Sequence, residues 1–335
     1  MTEVLKTLKG KARVFACGGA GINIAKKVEQ FRDVEEVGRA DLSVAYIDTS
    51  RSNLSGLSAQ VIENYTYLLE GLDGSGKIRR ENHESIRDNT RKILQKFPAQ
   101  DVNIVISSAA GGSGSVIAPS IVAELLENDQ QVIVIIVGAT DSGVEIENVL
   151  KTLKSYEAIS QKKERPVVAS YFQNSKDSPR DKVDVAATQV ILSIAIVFSR
   201  ENRELDTRDL YNFLNYQRLT SYKPKLVGFT VNIGEIATQN TQDVISVALI
   251  TTAGSDDSVV FTPEYKAVGF LPEAVSAELA SCTPLTLLAH NDSFPAVARE
   301  LEERLEDLEK MKKARIQVKS ILSNNDIATD DGMVL

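Results

Sequence analysis

The chain is poor in residues that build covalent or metal-held scaffolds. Its 335 residues include two cysteines, Cys17 and Cys282, and two histidines, His83 and His290. A disulfide framework is excluded, and so is a zinc site needing three or four Cys or His ligands. So little cysteine also points to a reducing compartment. An excess of basic charge is missing too. The 38 Lys and Arg against 46 Asp and Glu leave a net charge of −8, the wrong sign for lying along phosphate backbones or anionic lipid. Neither nucleic acid nor membrane is therefore an expected direct partner. Long apolar runs are absent as well. Residues 185–198 come nearest, but Thr188, Gln189 and Ser193 interrupt them and the run falls short of the roughly 20 residues a membrane span needs. Residues 1–11 carry lysines with no apolar stretch behind them, so no secretory leader is read there and the expected location is cytoplasmic.

What is present reads as a globular chain, 43% hydrophobic and 25% charged, long enough for two domains or one large elaborated one. Residues 13–17, 43–47, 103–107, 132–137 and 167–172 read as buried strands, rich in Val, Ile and aromatics. Helical patterns at 22–31, 84–97, 115–127 and 144–160 alternate with them. That alternation predicts βαβ units and a parallel sheet covered on both faces, with ligands at the carboxyl ends of the strands. A long helix is expected over 181–198, apolar on most of its circumference and buried between two domains, with a second over 206–216. Beyond it, residues 226–233, 258–262, 266–271 and 284–289 predict a smaller mixed sheet. Residues 297–321 then form one charged helix, and 323–335 an acidic end.

Three glycine-rich stretches stand out. The first strand runs into Gly18, Gly19, Ala20, Gly21, Ile22 and Asn23 ahead of a helix. Small residues there let backbone N–H groups approach an anion, and a helix N-terminus adds its dipole. As a dinucleotide fingerprint the stretch is incomplete, because Ile24 stands at the third glycine; a tight turn without a ligand also fits. The second stretch, Gly71 to Lys77, has phosphate-loop spacing up to its lysine. Ile78 follows where that motif needs a hydroxyl for Mg²⁺, so Gly74, Ser75 and Gly76 read better as a loop touching a terminal phosphate. The third, Ser107 to Ser115, sits between a strand and an apolar helix. Two turn residues would suffice there, and consecutive glycines cost backbone entropy. Two such loops on one sheet can enclose a di- or triphosphate.

Within that third stretch, Ala110, Gly111, Gly112, Ser113, Gly114 and Ser115 resemble the tubulin signature. Ser113 keeps the hydroxyl of its threonine, and Val116 replaces its last glycine. With the first loop similar to that of FtsZ, the chain is identified as a member of the tubulin/FtsZ superfamily. Gly-Gly-Ser-Gly-Ser-Val, the run Val137, Gly138 and Ala139, and the ending Asp331, Gly332, Met333 and Val334 resemble its phage-encoded, PhuZ-like branch. The resemblance implies an α/β fold with a parallel-sheet nucleotide domain over 1–179, a central helix and catalytic loop over 180–216, and a smaller α+β domain over 217–295. A long C-terminal helix over 296–322 and an acidic tail over 323–335, touching the neighbouring subunit, complete it. It further implies GTP or GDP as the bound nucleotide, with Mg²⁺ held mainly by phosphates and water. Hydrolysis is completed by the adjacent subunit of a homopolymeric filament, which positions phage DNA in the host cytoplasm.

Carried over residue by residue, the glycine loops hold the phosphates, with Asp48 and Thr49 beside them. Glu147 resembles the acid that holds the ribose, with Lys151 one turn on. Asn174 and Asp184 look like the residues that read guanine, and Arg180 stands where the family stacks an aromatic on the base. A carboxylate accepts from both N1–H and the exocyclic amine of guanine, whereas adenine has no matching pair of donors. Asp206 and Asp209 resemble the catalytic acids, although their spacing also suits capping of a helix, and Glu204 replaces an asparagine just before them. The competing reading is an NAD-dependent oxidoreductase with a Rossmann-type domain, Asp48 then holding the ribose. It leaves the Ser107–Ser115 stretch unexplained.

Overall fold

The computed structural model describes residues 9–30, 38–69, 71–72, 74–80, 82–234, 243–252, 262–291 and 293–316. Its first half alternates as the pattern predicts: β1 (Lys11–Cys17), α1 (Gly18–Glu29), β2 (Asp41–Asp48), α2 (Ala59–Tyr65), β3 (Thr66–Leu68) and α3 (His83–Lys96). There follow β4 (Val102–Ser108), α4 (Gly114–Glu127), β5 (Val132–Ala139), α5 (Gly143–Lys163) and β6 (Val167–Asn174). The second half holds α6 (Arg180–Val197), α7 (Thr207–Leu214), β7 (Leu226–Ile233), β8 (Val244–Thr252), β9 (Tyr265–Leu271), α8 (Glu273–Ser276), β10 (Leu285–His290) and α9 (Ser293–Ile316).

The ten strands of the described residues form one sheet in the order β3-β2-β1-β4-β5-β6-β7-β10-β8-β9. From β3 to β7 every pairing is parallel. β10 then runs antiparallel to both β7 and β8, and β9 parallel to β8. The expected separate smaller sheet is thus a continuation of the first, joined where Val167, Val168 and Ala169 pair with Leu226, Val227 and Gly228. Both joining edges are buried, and a buried backbone edge must find partners. β8 was not foreseen, since a run buried on both faces lacks the alternation that identifies a strand. Of the strand expected at 258–262, all but Thr262 falls outside the described residues, as do the end of the charged helix beyond Ile316 and the acidic tail.

Side chains alternate between two cores. Val14 and Ala16 join Ile22 and Val28 of α1 and Val183, Ala187 and Ile191 of α6 on one face. Phe15 and Cys17 join α4, α5 and α9 on the other. The first core also takes in Phe213, Ile245, Ile250 and Ala267, so α6 packs against both halves of the sheet. Because α1 and α4 leave β1 and β4 towards opposite faces, the strand order reverses between these neighbours. A crevice opens there at the carboxyl edge.

Candidate functional site

The two glycine loops meet in that crevice and interlock. Gly18 has φ +72°, a backbone setting that glycine adopts freely, and a Cβ on it would lie 3.0 Å from Gly114 Cα. A Cβ on Gly114 would lie 2.6 Å from the Cys17 carbonyl, and one on Gly21 2.5 Å from that of Ile106. These two glycines therefore serve the close approach of loop to strand. A Cβ on Gly111 would meet only the Ser108 carbonyl, at 4.0 Å, so this residue borders open space. The Ser113 hydroxyl is 2.6 Å from Thr49 Oγ1 and donates to Ser75 Oγ at 3.1 Å, which draws three loops together. Ser115 Oγ donates back to the Gly111 and Gly112 carbonyls, and Asn148 ties Lys77 to Ala110 through their carbonyls.

The resulting cleft has two connected parts that share Gly19, Ala20, Asn53, Ser108 and Gly111. One part, of about 220 Å³, is walled by Gly18, Asp48, Gly74, Ser75, Gly112, Ser113 and Gly114, with N–H groups of two helix N-termini at its rim. Such a lining suits an anion. Burial pushes the Asp48 carboxyl up, against hydrogen bonds from Asn53, Ser50 and Thr49 that favour its ionised form. Its Oδ1 accepts from the Thr49 and Ser50 amides and its Oδ2 from Asn53 Nδ2. Asp48 thus shapes the loop instead of gripping a ribose, as the oxidoreductase reading requires.

The other part, of about 330 Å³, is walled by Asn23, Ala110, Lys77, Glu145, Asn174, Arg180 and Asp184. Asn174 Oδ1 is buried with no hydrogen-bond donor among the described residues, which leaves an acceptor open to a ligand. Burial raises the Asp184 carboxyl above its ordinary range, with Lys27 and Arg180 opposing and Asp181 adding to the shift. Two acceptors at one end and a lining suited to an anion at the other fit a purine nucleotide whose edge donates hydrogen bonds.

Not every expected residue arrives. Glu147 and Lys151 pair with each other at 2.8 Å and line a different cavity of about 860 Å³ beside α3 and α5. The acid facing the cleft is Glu145, two residues earlier. Burial works to raise its carboxyl, but hydrogen bonds from Lys77 and Ser142 outweigh this and hold it below the usual range. Gly21, Thr49, Gly76 and Ser115 do not wall the cleft, although Thr49 Oγ1 shares a hydrogen bond with Ser113 Oγ, which does. Asn53, Ser108 and Glu145 were missed: Asn53 stands alone in a polar loop, and only its bond to Asp48 brings it to the site.

Asp206 and Asp209 are elsewhere altogether. They form a capping box at the start of α7: Asp206 Oδ1 accepts from the Arg208 and Asp209 amides, and Asp209 Oδ2 from the Asp206 amide. α6 begins at the cleft with Arg180 and Asp184 and runs 18 residues, about 27 Å. At its far end the Ala195 and Ser199 carbonyls accept from the Ala40 and Gly10 amides, at the amino edge of β2 and β1. The acids follow that end, so they sit at the opposite pole from the cleft.

Comparison with known proteins agrees with this geometry. Residues 11–176 match the family model for the Tubulin/FtsZ family, GTPase domain. The chain is 28% identical over 335 residues to a phage tubulin-like protein of Pseudomonas phage phiKZ, covering 97% of this chain and 98% of that one. Among solved structures it resembles a protofilament of TubZ from bacteriophage PhiKZ, with TM-score 0.82, 27% identity and 98% of this chain and 100% of that chain covered. It also resembles the phage tubulin PhuZ with GDP, at TM-score 0.82 and 22% identity over 97% of this chain and 100% of that one. The oxidoreductase reading finds no support. Residues 11–176 belong to the GTPase domain of the tubulin/FtsZ family, within a tubulin-like fold that spans the chain.

Proposed function

We propose that this GTPase assembles head to tail into filaments and completes hydrolysis only where two subunits meet. One observation carries the reading: the nucleotide cleft and the acidic pair lie at opposite ends of α6, so no subunit can bring its own Asp206 to its own cleft. Stacking cleft pole on acidic pole joins them. The relative of known structure from phage PhiKZ is a protofilament, which supports such stacking.

In this reading residues 1–179 hold the nucleotide, 180–216 bridge to the opposite pole, and 217–295 extend the sheet. Asn174 Oδ1 and Asp184 accept from the guanine edge, Arg180 lies along the base, and Glu145 holds the ribose. The interlocked loops surround the phosphates with N–H groups and hydroxyls. Mg²⁺ is held by phosphates and water: Asp48 spends both oxygens on protein donors, and no cluster among the described residues could ligate a metal. Bound there, it would neutralise phosphate charge. Asp209 has both oxygens engaged, Oδ1 by Tyr265 OH at 3.1 Å, whereas Asp206 Oδ2 meets no donor among the described residues. Asp206 therefore orients the attacking water, and Asp209 holds Asp206 in place.

α9 runs antiparallel to α5: Glu302 is 3.8 Å from Lys154, and Leu305 lies beside Gly143 at the cleft end. The described part of α9 ends at Ile316, and we assign the acidic residues 323–335 beyond it to contact with the neighbouring subunit. We further propose that the filament acts in the host cytoplasm with phage DNA as cargo. The test is phosphate release and pelleting at rising protein concentration with GTP, ATP or NAD. Turnover per subunit should rise steeply with concentration, and only with GTP. Turnover per subunit that stays constant across the assembly threshold overturns completion in trans.

A further inference from the structure

The phosphate end of the cleft lacks something that phosphoryl transfer needs. Among the described residues that wall it there is no Lys, Arg or His. Its ionisable side chains are Asp48 and Cys17, and burial with the nearby Asp48 carboxyl pushes the Cys17 thiol well up, so that it stays protonated. Lys77, in the adjoining part, is committed to Glu145 at 2.7 Å. Hydrolysis moves negative charge onto the oxygen between the β- and γ-phosphates, and stabilising that charge is most of the catalysis. Stacking subunits as proposed adds two more carboxylates, Asp206 and Asp209, to a triphosphate. Mg²⁺ would answer part of this charge, but no side chain of the described lining is a cation, and docking the acids alone would add two more negative charges.

The acidic pole carries a cation. Three guanidinium groups surround the Tyr211 ring, those of Arg165, Arg208 and Arg218, at 5.6, 5.2 and 5.2 Å from its centre. Two are committed: Arg165 pairs with Asp129 and donates to Asn215 Oδ1 at 2.7 Å, and Arg218 donates to Tyr211 OH at 3.1 Å. Arg208 is exposed, lies between the two acids in sequence, and finds no carboxylate or other acceptor for its guanidinium among the described residues. Its contact with the Tyr211 ring limits its rotamers and leaves its N–H donors open to an anion.

We infer that Arg208 is a catalytic residue supplied in trans, placed across the subunit contact on the γ-phosphate and the bridging oxygen of the neighbour's GTP. In the step it serves, the water oxygen bonds to the γ-phosphorus as the bond to the bridging oxygen breaks. That electron pair stays on the β-phosphate of GDP, opposite the guanidinium. One proton of the water remains on the released phosphate, and the other passes through Asp206 Oδ2 to solvent. The inference rests on the in-trans reading above.

Four variants decide it: Arg208→Ala, Arg208→Lys, Arg218→Ala and Asp206→Asn. Each is assayed for GTP binding by the monomer, pelleting, phosphate release per polymerised subunit, and retention of GDP with aluminium fluoride in pelleted filaments. Arg208→Ala should bind GTP and assemble normally, yet release phosphate more slowly by on the order of 10³-fold, and fail to retain the fluoride complex. Arg208→Lys keeps the charge without the planar fork and should recover only part of the rate. Arg218→Ala disturbs the same ring but should turn over within a few-fold of the parent. Turnover lost in Asp206→Asn but kept in Arg208→Ala overturns this inference alone; turnover kept in both overturns the in-trans reading as well. An equal loss in Arg218→Ala, or an Arg208→Ala protein that never assembles, makes Arg208 a packing or contact residue and overturns the inference too.

Discussion

A carboxylate that accepts two hydrogen bonds from a base must be ionised, and burial opposes this at Asp184. Its raised pKa sets the sign of a pH effect. GTP affinity should fall as pH drops through that value, beginning above the range of an ordinary carboxylate. Asp184→Asn should weaken GTP by on the order of 2–3 kcal/mol, favour xanthosine triphosphate, and abolish that acid-side fall. Equilibrium binding of both nucleotides across pH checks all three outcomes. Unchanged GTP affinity would remove Asp184 from the site. Asn174 is the complementary case, because among the described residues its buried Oδ1 has no donor to release before it could accept from a base.

At the scale of an element, α7 has one observed duty and one proposed duty at the same end. Its N-terminal amides need an acceptor, and Asp206 supplies it. Its carboxylate charge is assigned to water in the neighbour's site. Asparagine caps a helix about as well as aspartate, so the duties separate. Asp206→Asn should melt close to the parent temperature and lose turnover in filaments. Asp206→Ala should lose both turnover and on the order of 1 kcal/mol of stability. Thermal unfolding of the two variants beside phosphate release makes the test. If Asp206→Asn hydrolyses GTP at the parental rate, the capping box is the whole role of the pair.

At the scale of the molecule, the proposed assembly rests on the two poles and on the C-terminal tail. The tail combines Asp326, Asp330 and Asp331 with Ile327, Met333, Val334 and Leu335, a mixture of charge for register and apolar surface for burial. Deleting residues 323–335 should raise the critical concentration sharply while monomer GTP affinity is unchanged. High salt should act in the same direction on the intact chain. Sedimentation across a concentration series measures both, and an unaltered threshold in the truncated protein would assign the tail no part in the contact.

The sequence by itself determined what depends on near neighbours in the chain. Strand followed by small residues followed by helix is a local constraint, which is why the β1 and β4 loops, α6 and the parallel half of the sheet were legible. Asn174, Arg180 and Asp184 came from the family resemblance and not from a local constraint, and all three do wall the cleft. Only the tertiary structure decided which face of a helix is turned inward. Glu145 and Glu147 are two residues apart, about 200° around α5, and packing of that helix on the sheet selects the first. It also decided that β6 and β7 join into a single sheet, because a backbone edge has no partner preference that its own residues reveal. The distance between cleft and acids was decided the same way. Sequence puts Asp184 and Asp206 a few turns apart, and only a straight helix buried against both halves of the sheet drives them to opposite poles.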